Sequence, residues 1–244
     1  MEDQLYKKFF EVETTHWWFT ARQSIVSDIV RRNVPLSSHS RVLDVGCGTG
    51  AILAMFQAQC DAYGTDMSPL AIDFCHKRGL ANAFCCTLDT FPRRDLRFDL
   101  VTLLDVIEHI DDDKGVLKQA HELIKPEGNI LVTVPAYQFL WSSHDDLNHH
   151  KRRYVKSQLR NVLEGSGFTI KRISYYNTLL FPTALVGRGA ERFFKAKNDV
   201  TLDIPPGPIN FLLKEIFGFE RFLLRTATLP FGLSIIALAT KKPI

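Results

Sequence analysis

Three things are scarce in this 244-residue chain, and each absence excludes a class of protein. Cysteine is the first. Cys47, Cys60, Cys75, Cys85 and Cys86 are odd in number and form no C-x-x-C pair. That excludes a disulfide framework and a zinc-ribbon site, and leaves five free thiols, mostly buried. Long apolar runs are the second. The uncharged stretch from Thr226 to Thr240 is broken by Pro230 and Gly232 and is too short to span a bilayer. An excess of one charge is the third. Thirty basic residues face 27 acidic ones for a net charge of +3, with no long basic run, so a nucleic-acid partner is not expected. The amino-terminal stretch mixes acids, bases and aromatics and does not read as a secretory leader, so a cytoplasmic location is expected.

What is present is an alternation. From Ser40 to about Gly167, short apolar runs separate longer helical patterns, the signature of βαβ units and a parallel sheet. Strands are expected at Arg41–Val45, Asp61–Thr65, Ala83–Cys86, Phe98–Leu104, Asn129–Val134 and Phe168–Ile173, with a last strand at Leu229–Ala239. Helices are expected at Ala51–Gln59, Pro69–Arg78, Lys114–Ile124 and Lys156–Glu164. Pro126-Glu127-Gly128 reads as a turn. The expected organisation is an amino-terminal helical lid over 1–39, an α/β core over 40–174, a helical cap over 175–228 and the last core strand over 229–244.

The strand Arg41–Val45 runs straight into Gly46-Cys47-Gly48-Thr49-Gly50. Glycines there permit positive φ and close approach of a ligand to backbone N–H groups, and the following helix offers its amino end to the same spot. Gly46, Gly48 and Ala51 also fit the dinucleotide fingerprint G-x-G-x-x-G/A. Asp44 argues against a pyrophosphate. A carboxylate inside an apolar strand suits a cationic partner such as the ammonium of a methionine moiety. Asp66, at the end of the second strand, is placed to accept from both ribose hydroxyls and supports an adenosine ligand without choosing the cofactor.

Together V-L-D-V-G-C-G-T-G and G-T-D-M-S-P resemble motif I and the second-strand acid of class I S-adenosylmethionine-dependent methyltransferases. Cys86-Thr87-Leu88-Asp89 resembles the adenine-edge segment, Phe98 through His109 the fourth-strand motif, and Leu123 through Val134 the turn and fifth strand. The likeness spans roughly 40–173 and extends to type 11, type 12 and ubiquinone-biosynthesis O-methyltransferases. It implies a doubly wound, seven-stranded, mostly parallel Rossmann-like sheet with an antiparallel last strand, and S-adenosylmethionine as cofactor. It also implies a donor site of Asp44, Gly46, Cys47, Gly48, Gly50, Asp66, Met67, Leu88, Asp89, Leu104 and Asp105, with Trp17 and Arg22 added from the lid.

If the turn after the fourth strand is helical, Asp105, Glu108 and His109 share a face. That set could bind a divalent metal that acidifies a catechol-like hydroxyl, and ubiquinone-biosynthesis O-methyltransferases carry a similar D/E-x-x-E-H element. Similar E-H pairs also line metal-free pockets, and no metal is assigned. Glu108 and His109 are kept as pocket and catalytic candidates.

The loop from Trp141 to Tyr154 leaves the carboxyl end of the fifth strand, where ligands collect in doubly wound sheets. Of its histidines, His144 is taken as the base that accepts the acceptor's proton. Arg152 and Arg153 are candidates for an anionic group. Trp17, Trp18 and Phe19 must pack on something, either the sheet or a closed lid. The Phe-rich, basic cap reads as cover or as a dimer contact, with a membrane surface as a second candidate.

The expected activity is methyl transfer to a small acceptor at a hydroxyl oxygen, with nitrogen or carbon, or a lipid-linked or envelope-glycan precursor, as alternatives. A non-catalytic cofactor-binding subunit and a nicotinamide-dependent oxidoreductase are the readings from other classes.

Overall fold

In the computed structural model, residues 3–194 and 203–242 are described, with the side chains of 144 and 188–194 outside that description. Two helices open the chain, α1 (Asp3–Val12) and α2 (Trp17–Asn33). The core then alternates β1 (Arg41–Val45), α3 (Ala51–Gln57), β2 (Asp61–Asp66), α4 (Pro69–Lys77), β3 (Ala83–Cys85) and β4 (Phe98–Leu104). After a single 3-10 turn at Ile107–His109 come α5 (Asp113–Leu123), β5 (Ile124–Pro135), the short α6 (Ser143–Leu147), α7 (Lys156–Gly165) and β6 (Phe168–Tyr176). Helices α8 (Phe181–Phe194) and α9 (Gly207–Thr226) precede β7 (Ser234–Lys241).

The seven strands form one sheet in the order β3-β2-β1-β4-β5-β7-β6. β7 runs antiparallel to both β5 and β6, and the remaining pairs are parallel. This is the expected doubly wound, Rossmann-like architecture. Central strands are buried on both faces, so β1 and β4 read as continuous apolar runs. One face packs Leu43, Leu103 and Ile130 against Leu117 of α5 and Leu159 of α7. The other packs Val42, Leu100 and Leu131 against Ile25 of α2, Leu53 of α3 and Phe217 of α9. Local chemistry sets the helix starts: the Ser68 hydroxyl accepts from Ala71 N–H (3.3 Å) with Pro69 at the first helical position, and Asp112 accepts from Gly115 N–H (2.8 Å).

Three boundaries differ from expectation. Pro126-Glu127-Gly128 is no turn before β5 but lies inside it, where the pairing with β4 slips between Phe98 and Leu100 and Glu127 takes a φ of 61°. A bulge needs the same positive φ as a turn, so its residues look alike in sequence. The last strand starts at Ser234, not Leu229, because Pro230 and Gly232 hold the chain off the ladder; Leu229 makes only an isolated bridge to Tyr175. β6 extends through Tyr176, so the segment expected as a cap begins inside the sheet.

Helices α2 and α9 lie side by side. Trp17 packs on α9, meeting Phe217 edge-on at 6.2 Å, and its backbone N–H donates to Asn210 Oδ1 (2.9 Å). Arg225 of α9 binds buried Asp28 of α2 (2.7 and 3.0 Å). No described helix is long and apolar enough to cross a membrane.

Candidate active site

A cavity of about 1350 Å³ opens at the carboxyl ends of β1, β2, β4 and β5. That exceeds the roughly 300–1,000 Å³ typical of a single small-molecule pocket, so it has room for two reactants. Its walls differ in kind.

The first wall is the glycine turn. Gly46 and Cys47 N–H groups donate to Thr65 O (2.7 and 3.0 Å), which ties the turn to β2. Gly46 and Gly48 hold φ of 69° and 54°. A Cβ on Gly46 would stand 2.5 Å from Val106 Cγ2, so glycine is required there by space as well as by φ. Gly50, at φ 92°, does not line the cavity: its Cβ position points at Leu80 and Cys75 in the core. It shapes the turn and does not face the ligand.

Two carboxylates flank the turn. Asp44 is buried and accepts from Thr102 Oγ1 (2.6 Å). Burial pushes its pKa up to about 7, opposed by Thr102 and by the Arg22 charge. Asp66 accepts from Gly48 N–H through Oδ2 and from Ser68 N–H through Oδ1, both at 2.9 Å. Burial raises its pKa as well. Met67, Leu88 and Asp89 complete this side. Met67 is 75% exposed, Leu88 is buried, and Asp89 accepts from the Thr87 hydroxyl at the rim.

The amino-terminal helices add further lining. Trp17, Trp18 and Arg22 line the cavity with Tyr6, Phe9 and Glu13, none of which the sequence marked. The Tyr6 hydroxyl reaches Asp66 Oδ1 at 3.5 Å. Buried Glu13 accepts from the Thr49 hydroxyl and from Arg78 Nη2 (2.5 Å), while Arg78 Nε donates to Thr49 O (2.8 Å). Arg78 also lies over the Phe10 ring, and Phe10 stacks on Phe74. α1 is thereby fastened to the glycine turn and to α4.

Arg22 is the bridge between walls. Its Nη2 donates to Asp105 Oδ2 (2.5 Å) and Thr133 Oγ1 (3.3 Å), while its buried Nε has no partner. Asp105 holds a φ of 59°, next to Leu104 at the end of β4. A methionine-type ligand fits this lining: a carboxylate could pair with the guanidinium, an ammonium with Asp44, and ribose hydroxyls with Asp66. No buried group in the donor wall would repel it, whereas a pyrophosphate on the turn would meet both Asp44 and Asp66.

The second wall is a cluster of ionisable side chains. The 3-10 turn carries Glu108 and His109, and the loop after β5 brings His150 beside them. One ligating atom from each lies within 4.8 Å of the others. The trio expected from spacing was Asp105, Glu108 and His109. The turn is 3-10 rather than α-helical and Asp105 is held by Arg22, so His150 takes the third place. Glu108 is 0% exposed and neither carboxylate oxygen has a hydrogen-bond partner. Burial, then the nearby Asp105 charge, drives its pKa well above the usual range. Burial and His150 lower that of His109 to about 4, which leaves its ring neutral near pH 7. The two imidazoles meet edge to face at 4.7 Å.

His150 Nδ1 sits 2.8 Å from Asp145 Oδ1, and Arg153 clamps the same carboxylate through Nε (2.7 Å) and Nη2 (2.9 Å). Arg153, buried and committed to Asp145, is not available to an anion. Arg152 is likewise paired, with Asp113 and Asp111 O. His144, the base expected from sequence, belongs to α6, and its side chain lies outside the described residues.

Comparison with known proteins gives the family. A family profile described as a methyltransferase domain matches residues 18–173. The chain is 33% identical over 95 residues to a ubiquinone biosynthesis O-methyltransferase of Bordetella avium, covering 36% of this chain and 39% of that protein. The enzyme of the same name from Acinetobacter baumannii is 26% identical over 164 residues, covering 57% and 68%. The match thus spans about two fifths of the Bordetella protein's length. A SAM-dependent methyltransferase from Archaeoglobus fulgidus superposes with a TM-score of 0.57 at 19% identity, covering 90% of this chain and 94% of that one. With the profile covering more than half of the chain, the chain belongs to the family of S-adenosylmethionine-dependent methyltransferases.

Proposed function

We propose that this protein transfers the methyl group of S-adenosylmethionine to a hydroxyl oxygen of a small acceptor. The observation that carries this reading is the single cavity with a donor cradle on one side and Glu108, His109 and His150 on the other. A hydroxyl is a weak nucleophile until its proton leaves, and the neutral His109 ring on this wall offers a nitrogen that could accept it. An amine acceptor, already nucleophilic when neutral, has less need of it. The name shared by the curated relatives, O-methyltransferase, points the same way.

S-adenosylmethionine supplies an electrophilic methyl on a sulfonium. The residues here orient and dehydrate. The Gly46–Gly48 turn and Arg22 would hold the donor, Leu104 and Asp105 would line its methionine part, and Trp17 and Tyr6 would cover it. The acceptor hydroxyl would give its proton to the neutral His109 ring while the donor supplies the methyl group. In-line placement of donor and acceptor provides most of the rate. The test is incubation of the chain with isotopically labelled donor and a panel of phenols, catechols, alcohols and amines. Label on phenolic or catecholic oxygen is expected; label confined to nitrogen or carbon products overturns the reading.

A lipid-linked acceptor is the second reading, and the exposed apolar cap favours it. Ten of the 13 exposed large apolar side chains among the described residues lie between Leu179 and Phe231, with Val186 at 73% and Phe211 at 64%. Such a face suits a membrane surface or a second copy of the chain. Sedimentation with anionic liposomes at low salt separates these, since a dimer contact leaves the protein in the supernatant.

A further inference from the structure

We infer that Asn177 and Ser234 form a neutral hydrogen-bonding subsite at the β6–β7 end of the cavity, which holds a hydroxyl or amide group of the acceptor remote from the atom that is methylated. The inference rests on the reading that the acceptor shares the donor's cavity, and not on which atom receives the methyl.

Asn177 supplies the first observation. It follows β6 directly, lines the cavity and is only 3% exposed. Its Oδ1 is buried with no hydrogen-bond partner among the described residues. A buried polar atom without a partner is rare, because it costs free energy that folding has to offset elsewhere. The backbone alone does not call for this side chain: its φ of 57° would be met as well by glycine. A polar group arriving from the cavity would supply the partner that the protein leaves out.

How firmly the residue is held is the second observation. Buried Glu220 of α9 accepts from Thr178 N–H (2.6 Å) and Leu179 N–H (2.8 Å), and the Thr178 hydroxyl donates to Phe231 O. Leu233 N–H donates to Asn177 O (3.3 Å). Gly232 lies so close that a Cβ there would stand 2.3 Å from Tyr176 O. Asn177 is thereby fixed between α9 and the start of β7, and a directional hydrogen bond to a ligand needs a group pre-set in this way. Ser234, the first residue of β7, pairs with Tyr176 and lines the same cavity.

Position and chemistry then set the ligand. The donor lining described above belongs to β2, β1 and β4, whereas Asn177 and Ser234 stand at the far side of β5. At about 4.8 Å per strand, β7 and β6 lie roughly 10 and 14 Å from β4 across the sheet. A single phenol ring placed against the donor does not cover that span. Pro135 and Leu233, which line this end with them, are apolar. A carboxamide and a hydroxyl each both donate and accept, and neither is charged, so the matching group is a neutral one of the same kind. The acceptor class that fits is elongated, with a nucleophilic atom at one end, an apolar middle, and a hydroxyl or amide at the other.

The test uses two phenols of equal length on the full chain saturated with S-adenosylhomocysteine, the demethylated donor. One carries a para hexyl chain, the other a para pentyl chain ending in a hydroxyl. By calorimetry the hydroxylated compound is expected to bind at least about tenfold tighter. Asn177→Gly, which suits the left-handed backbone, and Ser234→Ala are each expected to cut that preference by about three- to tenfold. Affinity for the hexyl compound and for S-adenosylhomocysteine should stay within about twofold, because the variants remove a hydrogen bond to one group only. No binding of either phenol, equal binding of the two by the parent, or an undiminished preference in both variants overturns the subsite. So does Asn177→Gly weakening both phenols alike, which would make the residue structural. If the parent prefers the hydroxylated phenol and labelled methyl enters neither compound, the hydroxyl-acceptor reading fails while the subsite stands. If label reaches both phenolic oxygens with equal kcat/KM, the subsite fails while that reading stands.

Discussion

The two walls of the cavity are built by different means. The donor wall is mostly backbone: glycines at positive φ, N–H groups bonded to Thr65 O and Asp66, and carboxylates carried on strand ends. The acceptor wall is mostly side chain, joining a 3-10 turn to a loop about 40 residues later through Glu108, His109, His150 and Asp145. Backbone geometry within one turn tolerates few sequences and recurs wherever the same donor is bound. Side-chain clusters assembled from distant loops can be exchanged without disturbing the sheet. One fold can thus keep its donor and change its acceptor.

The contrast can be broken most forcefully at Gly46. Gly46→Ala adds a Cβ 2.5 Å from Val106 at φ 69°, whereas Gly48→Ala meets nothing within 4 Å. Strain and overpacking together are worth roughly 3 kcal/mol at the first site, a loss of at least about a hundredfold in donor affinity by calorimetry. Gly48→Ala carries only the left-handed backbone cost of about 1–2 kcal/mol, near tenfold. Equal losses would show that space is not what the donor wall protects.

Next comes the bridge between walls. Arg22→Ala leaves Asp105 unpaired at a site where the two side chains are only 11% and 26% exposed. Removing one partner of a fully buried pair costs about 3–5 kcal/mol; with the partial exposure here about 2 kcal/mol is expected in urea unfolding. Arg22→Ala with Asp105→Asn should recover part of that loss. A double variant no more stable than Arg22→Ala would mean that the pair is not the source.

The lid fastening is smaller. Glu13→Gln weakens its contacts to Thr49 and Arg78 and should cost about 1 kcal/mol, a melting shift of about 2–4 °C for a chain of this size. Donor affinity should fall with it, whereas a shift with unchanged affinity would confine Glu13 to a structural role.

The least effect is in pH. With the Asp44 pKa raised to about 7, the folded donor-free protein holds a proton that the unfolded chain has released. Its stability contribution is therefore lost as pH rises between about 4 and 7 and is level above that. From pH 6 to 7.5 the melting temperature of the donor-free protein should decline slightly, while donor affinity climbs as the carboxylate becomes available to the ammonium. Asp44→Asn should remove both slopes; slopes that persist would place the titration on another group.

Legibility in the sequence followed the same division. The seven-stranded, mostly parallel sheet and the glycine turn after β1 were readable because each motif is contiguous and its residues answer to a local backbone need. Gly50 was assigned to the ligand although it serves the core, since a glycine's φ does not reveal which side its Cβ would crowd. Pro126–Gly128 was misplaced because a bulge and a turn require the same conformations. His150 was not singled out because three histidines in one loop look alike in sequence, and its contact with Asp145 is made only by the fold. Tyr6 and Glu13 left no mark, since their partners, Asp66 and Arg78, lie more than 55 residues away.

Fastening α1 across the glycine turn has a kinetic consequence. A ligand bound beneath Tyr6, Phe9 and Glu13 would lie under a helix that is itself tied to Thr49 and Arg78 through Glu13. If its exchange needs α1 to lift, the turnover rate should fall as solvent viscosity rises, and a rate indifferent to viscosity would mean that the cavity exchanges its ligand by another mouth.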